Sequence, residues 1–394
     1  MTVGAKGVAA AGPQLIRAMN EQVLLDHIRQ SGPLSRAELA RMSGLSKPTV
    51  SQALANIERV GLVHVTGQRT GVPGPAAVLY EVRPEAGFVV GLDVGRQFLR
   101  GAIADLSGTV RARQNVRTKA GNAGARVCEL VQLSAALLRE ADVTAAQVTQ
   151  TVLGSPGVYD SRRDALTLTG RLSGWDSPAV LTELRAGFGD DLIIENDVDA
   201  AALAERAHGH GRDVDSFAFV SVGTGIGMGL VIGGQLHRGS HGVAGEISYL
   251  PFAEGHGGDV KDARKRGSFD ATASAAAVVR AARRAGLRVS TAERVFRAAA
   301  QGDPVAVAIV DEEALLVAKA VCAVITVADP ELIVLGGGIG QAEGFLGAVV
   351  GHLRQLSPVL PEVKASVLGA ESVVAGCVAA GLDRAWKHLL AAPA

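Results

Sequence analysis

A glycine-rich segment between two apolar stretches, SVGTGIGMGLVIGG at 221–234, restricts the fold of this chain more than any other feature. Glycines at this spacing let two strands reverse tightly and let backbone N–H groups face an anion. The segment FVVGLDVGRQFLRGAIADLSGTV at 88–110 has the same plan, because Gly95 falls in register with Gly223 when the two segments are aligned without gaps. Two such hairpins predict an internal duplication, with one glycine turn in each of two α/β lobes.

Duplicated lobes with a glycine turn in each and a cleft between them are the plan of the actin-like, sugar-kinase-like (ribonuclease H-like) fold. A third glycine turn, LIVLGGGIG, follows a buried strand and is placed to approach a nucleotide base or ribose. The duplicated domain is expected at 85–394, with one lobe at 85–195 plus the C-terminal helix and the other at 196–370. The phosphate-loop-like positions that this plan predicts are Asp93, Gly95, Gly223, Thr224, Gly225 and Gly337.

Residues 14–84 differ from the rest of the chain and predict three short helices. Apolar residues recur at helical spacing until Ser31-Gly32-Pro33, which ends the first helix. The second helix begins at Ser35, an N-cap that forms a capping box with Glu38. The third helix begins after Ser46, whose side chain is placed to cap it. This order of helices is typical of a helix-turn-helix DNA-binding unit.

A strand (LVHVT), a Gly/Pro-rich turn and a second strand (AVLYEV) follow the helices and complete a winged helix-turn-helix. In that geometry the third helix enters the major groove by its N-terminal end. From 13 to 72, seven Lys/Arg oppose four Asp/Glu, although the formal net charge of the whole chain is zero. The alternative is an interaction module that uses the helices for packing alone. The predicted DNA-contacting residues are Ser35, Ser46, Lys47, Thr49, Ser51, Gln52 and, on the wing, Arg69.

Three motifs in the large domain give a specific resemblance to the ROK family, which groups sugar-responsive repressors with sugar kinases. GSPGVYD resembles the family's first-lobe loop, ENDVDAAALAE its catalytic Asn-Asp segment, and SVGTGIGMGLVIGGQLHRGSHGVAGEI its second phosphate loop. The resemblance implies that Asn196 and Glu246 bind sugar hydroxyls and that Asp197 matches the catalytic base. An acidic residue after a strand can also act only as a helix cap, so both roles stay open for these residues.

The chain departs from the family pattern at positions that a sugar kinase needs. The first phosphate loop of family kinases continues with small residues, whereas Arg96 and Gln97 follow it here. The family's sugar-contacting Asn corresponds to Arg171, its sugar- and zinc-binding His to Tyr249, and a family Glu to Asp270. Phosphoryl transfer needs positioning from both lobes, so no working catalytic residue is expected and the base position is vestigial. The ligand-binding candidates are Arg171, Asn196, Asp197, Glu246, Tyr249 and Asp270.

The expected cofactor content is none. The family's zinc site uses its His and three cysteines, but no cysteine lies between Leu250 and Ser274, and structural zinc needs four N or S ligands. His256, Asp259 and Asp262 in that segment are interpreted as a polar loop, and ATP binding is doubtful. The three cysteines of the chain are far apart and form no CxxC pair, which suits a reducing cytosol.

These observations predict a cytoplasmic DNA-binding transcriptional regulator, a repressor, preceded by a disordered tail at 1–13. Its partners are expected to be a double-stranded operator and a small effector, a sugar or sugar phosphate, with no membrane contact. Two-fold DNA sites predict a homodimer or tetramer. Two alternatives remain open: an ATP-dependent sugar kinase with a DNA-binding appendage, and a DNA-binding oligomer that responds to no ligand.

Overall fold

The N-terminal part of the chain, residues 12–82, is called the head below. It contains three helices, set by local caps and apolar spacing, and a three-stranded antiparallel sheet of order β1-β3-β2. A computed structural model describes residues 12–69, 77–170, 172–251 and 267–391. The predicted tail lies outside the described residues up to position 11, and the first helix already begins at Pro13. The elements of the head are α1 (Pro13–Ser31), β1 (Leu34–Ser35), α2 (Arg36–Ser43), α3 (Lys47–Arg59), β2 (Val63–Arg69) and β3 (Ala77–Val82).

The first lobe is built on a five-stranded sheet of order β10-β7-β4-β5-β6. Its central strand is buried at every residue, as the apolar run FVVGLDV predicts for a strand covered on both faces. A small hairpin, β8 with β9, follows the strand β7. The elements are β4 (Phe88–Val94), β5 (Phe98–Asp105), β6 (Val110–Arg117), α4 (Ala123–Glu140), β7 (Val148–Ser155), β8 (Val158–Asp160), β9 (Ala165–Thr167), α5 (Pro178–Phe188) and β10 (Ile193–Asn196).

The second lobe repeats this topology in the order β15-β14-β11-β12-β13. In both lobes the central strand pairs antiparallel with the next strand of its hairpin and parallel with a strand that returns after a helix. The duplication and the two-lobed fold predicted from the two glycine hairpins are therefore confirmed. The elements are α6 (Asp197–His208), β11 (Phe217–Val222), β12 (Ile226–Ile232), β13 (Gln235–Leu236), α7 (Ser268–Thr272), α8 (Ala275–Arg284), α9 (Ala292–Ala300), α10 (Pro304–Ala328), β14 (Leu332–Gly336), α11 (Gly337–Gly340), α12 (Phe345–Leu356) and β15 (Glu362–Ala365).

The last helix, α13 (Ser372–Ala391), follows the second lobe and packs against its helix α6 and against the first-lobe strands β4 and β7. A β-carbon on Gly376 would lie 1.6 Å from the carbonyl oxygen of Ala200, so α13 and α6 meet backbone to backbone. The N-terminal end of α6 directly follows β10, which ends the first lobe's sheet. These two helices therefore join the lobes behind the cleft. Within the described residues, no helix is both long and apolar enough to cross a bilayer.

Candidate ligand cleft and DNA-reading head

A polar pocket opens between the β8–β9 hairpin of the first lobe, the start of α6 and the glycine hairpin of the second lobe. Its empty space of about 530 Å³ includes volume that is open to bulk solvent. Backbone groups of glycines from both lobes form part of its wall, so a ligand here touches both lobes. Its lining includes Gly157, Asn196, Asp197, Gly227, Glu246 and Tyr249.

Asn196 lines the pocket and also caps α6. Its side-chain oxygen accepts hydrogen bonds from the backbone N–H groups of Val198 (2.8 Å) and Asp199 (3.2 Å). Its amide nitrogen donates to the carbonyl oxygen of Gly157 at 2.9 Å, across to the first-lobe loop. Both roles left open by the sequence, cap and pocket wall, therefore fall on the same side chain, which fixes the helix start relative to the loop.

Asp197 and Glu246 also line the pocket. Two further acidic residues, Glu195 and Asp199, lie near them. Glu195 is buried and forms an ion pair with Arg238, whose Nε donates to Oε1 at 3.1 Å. Burial, and then the nearby Glu195, hold the pKa of Asp199 well above its usual value. Asp197 and Glu246 are the acidic side chains at the pocket wall, and their oxygens can accept hydrogen bonds from hydroxyl groups.

The other three ligand-binding candidates differ in position. Tyr249 lines the pocket and is 37% exposed. Arg171 lies outside the described residues. The buried carboxylate of Asp270 accepts the backbone N–H of Ile226 at 2.8 Å, and Asp270 does not belong to the described pocket lining. This hydrogen bond holds the start of β12 in place, and the ligand contact of Asp270 stays a prediction.

In the second lobe the glycine turn is closed by its own backbone. The N–H of Gly223 donates to the carbonyl oxygen of Gly225 at 3.0 Å, and Thr224 is exposed at the tip. Gly337 has a φ of 77°, and a β-carbon there would lie 2.4 Å from the carbonyl oxygen of Val222. The third glycine turn therefore packs directly on the second, and only glycine fits this contact.

In the first lobe two arginines converge on the turn at Gly95. Arg100 reaches Asp93 across the β4–β5 pair at 3.0 Å. Arg126, on α4, donates to the carbonyl oxygen of Gly95 at 2.8 Å. Burial raises the pKa of Asp93 to about 7, against the opposing effect of Arg100. The sequence analysis missed both arginines, because each contact joins residues that no local motif links.

Arg96 and Gln97, which the sequence analysis singled out, are exposed at the tip of this turn. The Gln97 carbonyl accepts the backbone N–H of Thr118 at 3.0 Å, and the N–H of Gly95 donates to Phe98 at 3.0 Å. The turn is thus closed by its own backbone, as in the second lobe. The arginines that reach inward to it are Arg100 and Arg126.

In the head, two serines cap the helices. The hydroxyl of Ser35 donates to Glu38 at 2.7 Å, and the side chain is only 5% exposed. Ser35 is therefore a cap, and the prediction that it contacts DNA is corrected on the ground of this burial. Ser46 is exposed and caps α3 by accepting the backbone N–H of Thr49 at 3.3 Å.

The N-terminal end of α3 presents the remaining predicted DNA contacts. Lys47 and Gln52 are exposed, and Thr49 and Ser51 are half-buried. On the wing, Arg69 is half exposed and pairs with Glu38 at 2.5 Å, so the end of β2 is docked on α2. The turn at 70–76 lies outside the described residues.

These features define a class: a winged-helix head joined to a duplicated two-lobed domain with a polar cleft. The model of the ROK family matches residues 89–380, and that of the MarR family matches residues 23–71. The chain belongs to the ROK family, as the motif resemblance predicted.

Several curated relatives are named as repressors. The chain is 25% identical to a putative xylose repressor of Caldicellulosiruptor sp. over 60% of this chain and 59% of the relative. It is 23% identical to the xylose repressor of Bacillus subtilis over 61% and 62% of the two chains. The chain thus spans about three fifths of the length of the first curated relatives it matches. It is also 23% identical to the xylose repressor of Caldicellulosiruptor bescii, over 93% and 96%.

Solved structures of both kinds of family member share the fold. The ROK family transcriptional regulator homologous to the E. coli MLC protein superposes with a TM-score of 0.78 at 24% identity, over 95% of this chain and 98% of that one. The ROK hexokinase from Thermus thermophilus superposes with a TM-score of 0.65 at 28% identity, over 75% and 98%.

Within the described residues, no group of three or more His, Cys, Asp and Glu side chains is placed to hold a metal ion. The loop with His256, Asp259 and Asp262 lies outside the described residues. The absence of zinc therefore stays a prediction.

Proposed function

We propose that this protein is a DNA-binding transcriptional repressor whose affinity for its operator is set by a sugar bound in the cleft. One observation carries the proposal: the same chain contains a winged head and a polar cleft. Lys47 and Gln52 are exposed at the start of α3 in the head. Asn196, Asp197 and Glu246 line the cleft. The names of the xylose repressors that match the chain support it.

The cleft is lined by groups that can hydrogen-bond the hydroxyls of a sugar. Asn196 supplies an amide, and Asp197 and Glu246 supply acidic side chains. Relatives that match the chain are named xylose repressors. The ligand class we propose is therefore an uncharged monosaccharide, of which D-xylose is the first to test.

The test is isothermal titration calorimetry with D-xylose, D-glucose and their phosphates. We expect a neutral sugar to bind and Glu246→Gln to weaken it at least tenfold, because a lost hydrogen bond to a charged group costs about 1.5–3 kcal/mol. Glu293→Gln is the matched control on an exposed helix face. Tighter binding of the phosphates than of the sugars would overturn the ligand class, and no binding of any sugar would overturn the proposed function.

A sugar kinase is the second candidate, because the family includes kinases. A magnesium–nucleotide complex needs oxygen ligands for the metal and free backbone N–H groups for the phosphates. At the first-lobe turn, the carboxylate of Asp93 is already paired with Arg100, and the N–H of Gly95 is already bonded to Phe98. These residues do not fit such a complex, so we propose that the chain does not turn over ATP. A coupled ADP-release assay with D-xylose and D-glucose tests this, and turnover near 1 s⁻¹ that Asp197→Ala abolishes would contradict it.

A further inference from the structure

The C-terminal helix α13 contacts both the effector domain and the head. Its N-terminal half packs Val374 and Val378 on the first-lobe strand β5, in one cluster with Ala102 and Ala104. Its last turns enter the core of the head instead, where Trp386 is 1% exposed. One helix thus spans from α6, whose first residues line the pocket, to the head.

The contacts of α13 with α6 and with the first-lobe sheet are tightly packed. The backbone of Gly376 lies against the carbonyl of Ala200, which is three residues beyond Asp197 at the pocket wall. On the next residue, the Sγ of Cys377 donates to the carbonyl oxygen of Leu92 at 3.4 Å. Farther along, a β-carbon on Gly381 would lie 2.2 Å from the side chain of Val89. Because packed interiors deform little, a shift at the start of α6 must move α13 or be resisted by it.

The contact of α13 with the head centres on Trp386. This side chain packs in one cluster with Leu24, Leu25 and Ile28 of α1 and with Val82 of β3. Its indole N–H is buried with no hydrogen-bond partner, and such a buried donor is costly. The indole is therefore held by apolar packing alone, which a small rotation of α13 changes directly.

We propose that α13 is the element that couples the cleft to the head, with Trp386 as the residue that positions the head. This inference rests on the proposed function. A second connection exists through residues 83–87, where the Pro84 carbonyl accepts the backbone N–H of Leu106. The proposal assigns the coupling to the helix and not to this linker. Coupling of this kind equals the difference in ligand affinity between the two states.

The two tryptophans of the chain allow a direct optical test. Trp175 lies in the first lobe and donates to Ser155 at 2.8 Å, next to the pocket residue Pro156. In Trp175→Phe, Trp386 is the sole tryptophan and reports on the head. We expect the sugar that binds in calorimetry, D-xylose or D-glucose, to change the emission of Trp386 with the same dissociation constant. Unchanged emission at calorimetric saturation would overturn the proposal.

A second test separates coupling from binding. The operator is a duplex selected by the wild-type protein from a random-sequence pool, and its dissociation constant is measured with and without saturating sugar. In Trp386→Ala we expect the ratio of these constants to fall toward 1, with the sugar affinity within about twofold of wild type as for a residue outside the cleft. Trp386→Phe keeps the apolar packing and should retain the ratio. A wild-type ratio in Trp386→Ala would assign the coupling to the linker and overturn the proposal.

Two controls keep the result unambiguous. If Trp386→Ala fails to fold, as judged by its thermal transition, Trp386→Leu takes its place, because it retains part of the buried apolar surface. If the wild-type protein fails to bind a sugar or fails to select a duplex, the proposed function itself fails. If the wild-type protein binds both a sugar and a duplex, and the ratio of operator dissociation constants in Trp386→Ala equals that of wild type, only the coupling through α13 fails.

Discussion

Burial changes the protonation of one acidic side chain in the second lobe relative to that in water. Glu313 on α10 is 3% exposed, and its Oε1 has no hydrogen-bond partner. Burial, and then the neighbouring Glu312, raise its pKa to about 8. At pH 7 this side chain is therefore neutral inside the second lobe. The folded state holds a proton there that the unfolded chain releases above its ordinary pKa of 4.5.

This difference predicts a pH effect on stability. Because the folded pKa is raised, the folded state binds more protons between about pH 4.5 and 8, and the free energy of unfolding falls as pH rises through that window. Glu313→Gln should remove this contribution and be more stable than wild type at pH 8, with a smaller difference at pH 5. Urea denaturation at the two pH values measures it, and Glu293→Gln, on an exposed helix face, is the control. Equal pH slopes in wild type and Glu313→Gln would contradict the assignment.

At the N-terminal end of α3, we expect Lys47 to contact a phosphate and Gln52 to contact a base edge. Lys47 is exposed at the start of α3, and a lysine on a phosphate releases one counterion. Lys47→Ala should weaken binding to all duplexes and reduce the salt slope by about one unit per protomer. Arg59→Ala, at the exposed far end of the same helix, is the control. An unchanged slope in Lys47→Ala would remove its phosphate contact.

Gln52 lies one turn further along α3 and is also exposed. A glutamine that pairs with a base edge discriminates by about 1–3 kcal/mol. Gln52→Ala should therefore relax the preference at one base position in each half-site, measured by selection from a randomised duplex. Uniform weakening for every sequence would show that Gln52 does not read bases.

At the scale of elements, the glycine turns have a structural role that a substitution can isolate. Gly337→Ala places a β-carbon at a φ of 77° and 2.4 Å from the carbonyl oxygen of Val222. Left-handed strain of about 1–2 kcal/mol and overpacking of about 1–3 kcal/mol should together lower the free energy of unfolding by about 2–5 kcal/mol. Gly338→Ala meets open space and is the matched control. Equal thermal transitions of the two variants would show that the third turn does not pack on the second.

What the sequence predicts of these elements depends on how local the cause is. The caps at Ser35 and Ser46 involve side chains and N–H groups three residues apart, so the helix starts could be predicted directly. The role of Asp270 could not, because its partner Ile226 is 44 residues away and the loop between them gives no alignment signal. Arg126, 31 residues from Gly95, was missed for the same reason. The duplicated lobes could be predicted even though their strands are far apart in the sequence, because the hairpin pattern occurs twice.

At the scale of the whole molecule, the second half of the chain returns to the first. The two sheets follow one topology, and α6 and α13 pack against each other behind the cleft that separates them. The end of α13 then enters the core of the head. The chain is thus closed into one structure in which α13 contacts both the head and α6, whose first residues line the pocket. An isolated head would lack Trp386 and part of its core, so the full chain is the unit for measuring DNA binding.

A single winged head offers a small contact surface, and single DNA-binding modules bury only about 600–1,000 Å². Two heads related by two-fold symmetry double this area and fix the spacing of two half-sites. We expect two protomers per selected duplex, by sedimentation of the complex, and a pseudo-palindromic sequence. Inserting five base pairs between the half-sites turns one of them about half a helical turn away and should weaken binding at least tenfold. The same insertion outside the site should change nothing, and tolerance of the central insertion would show that the heads bind independently.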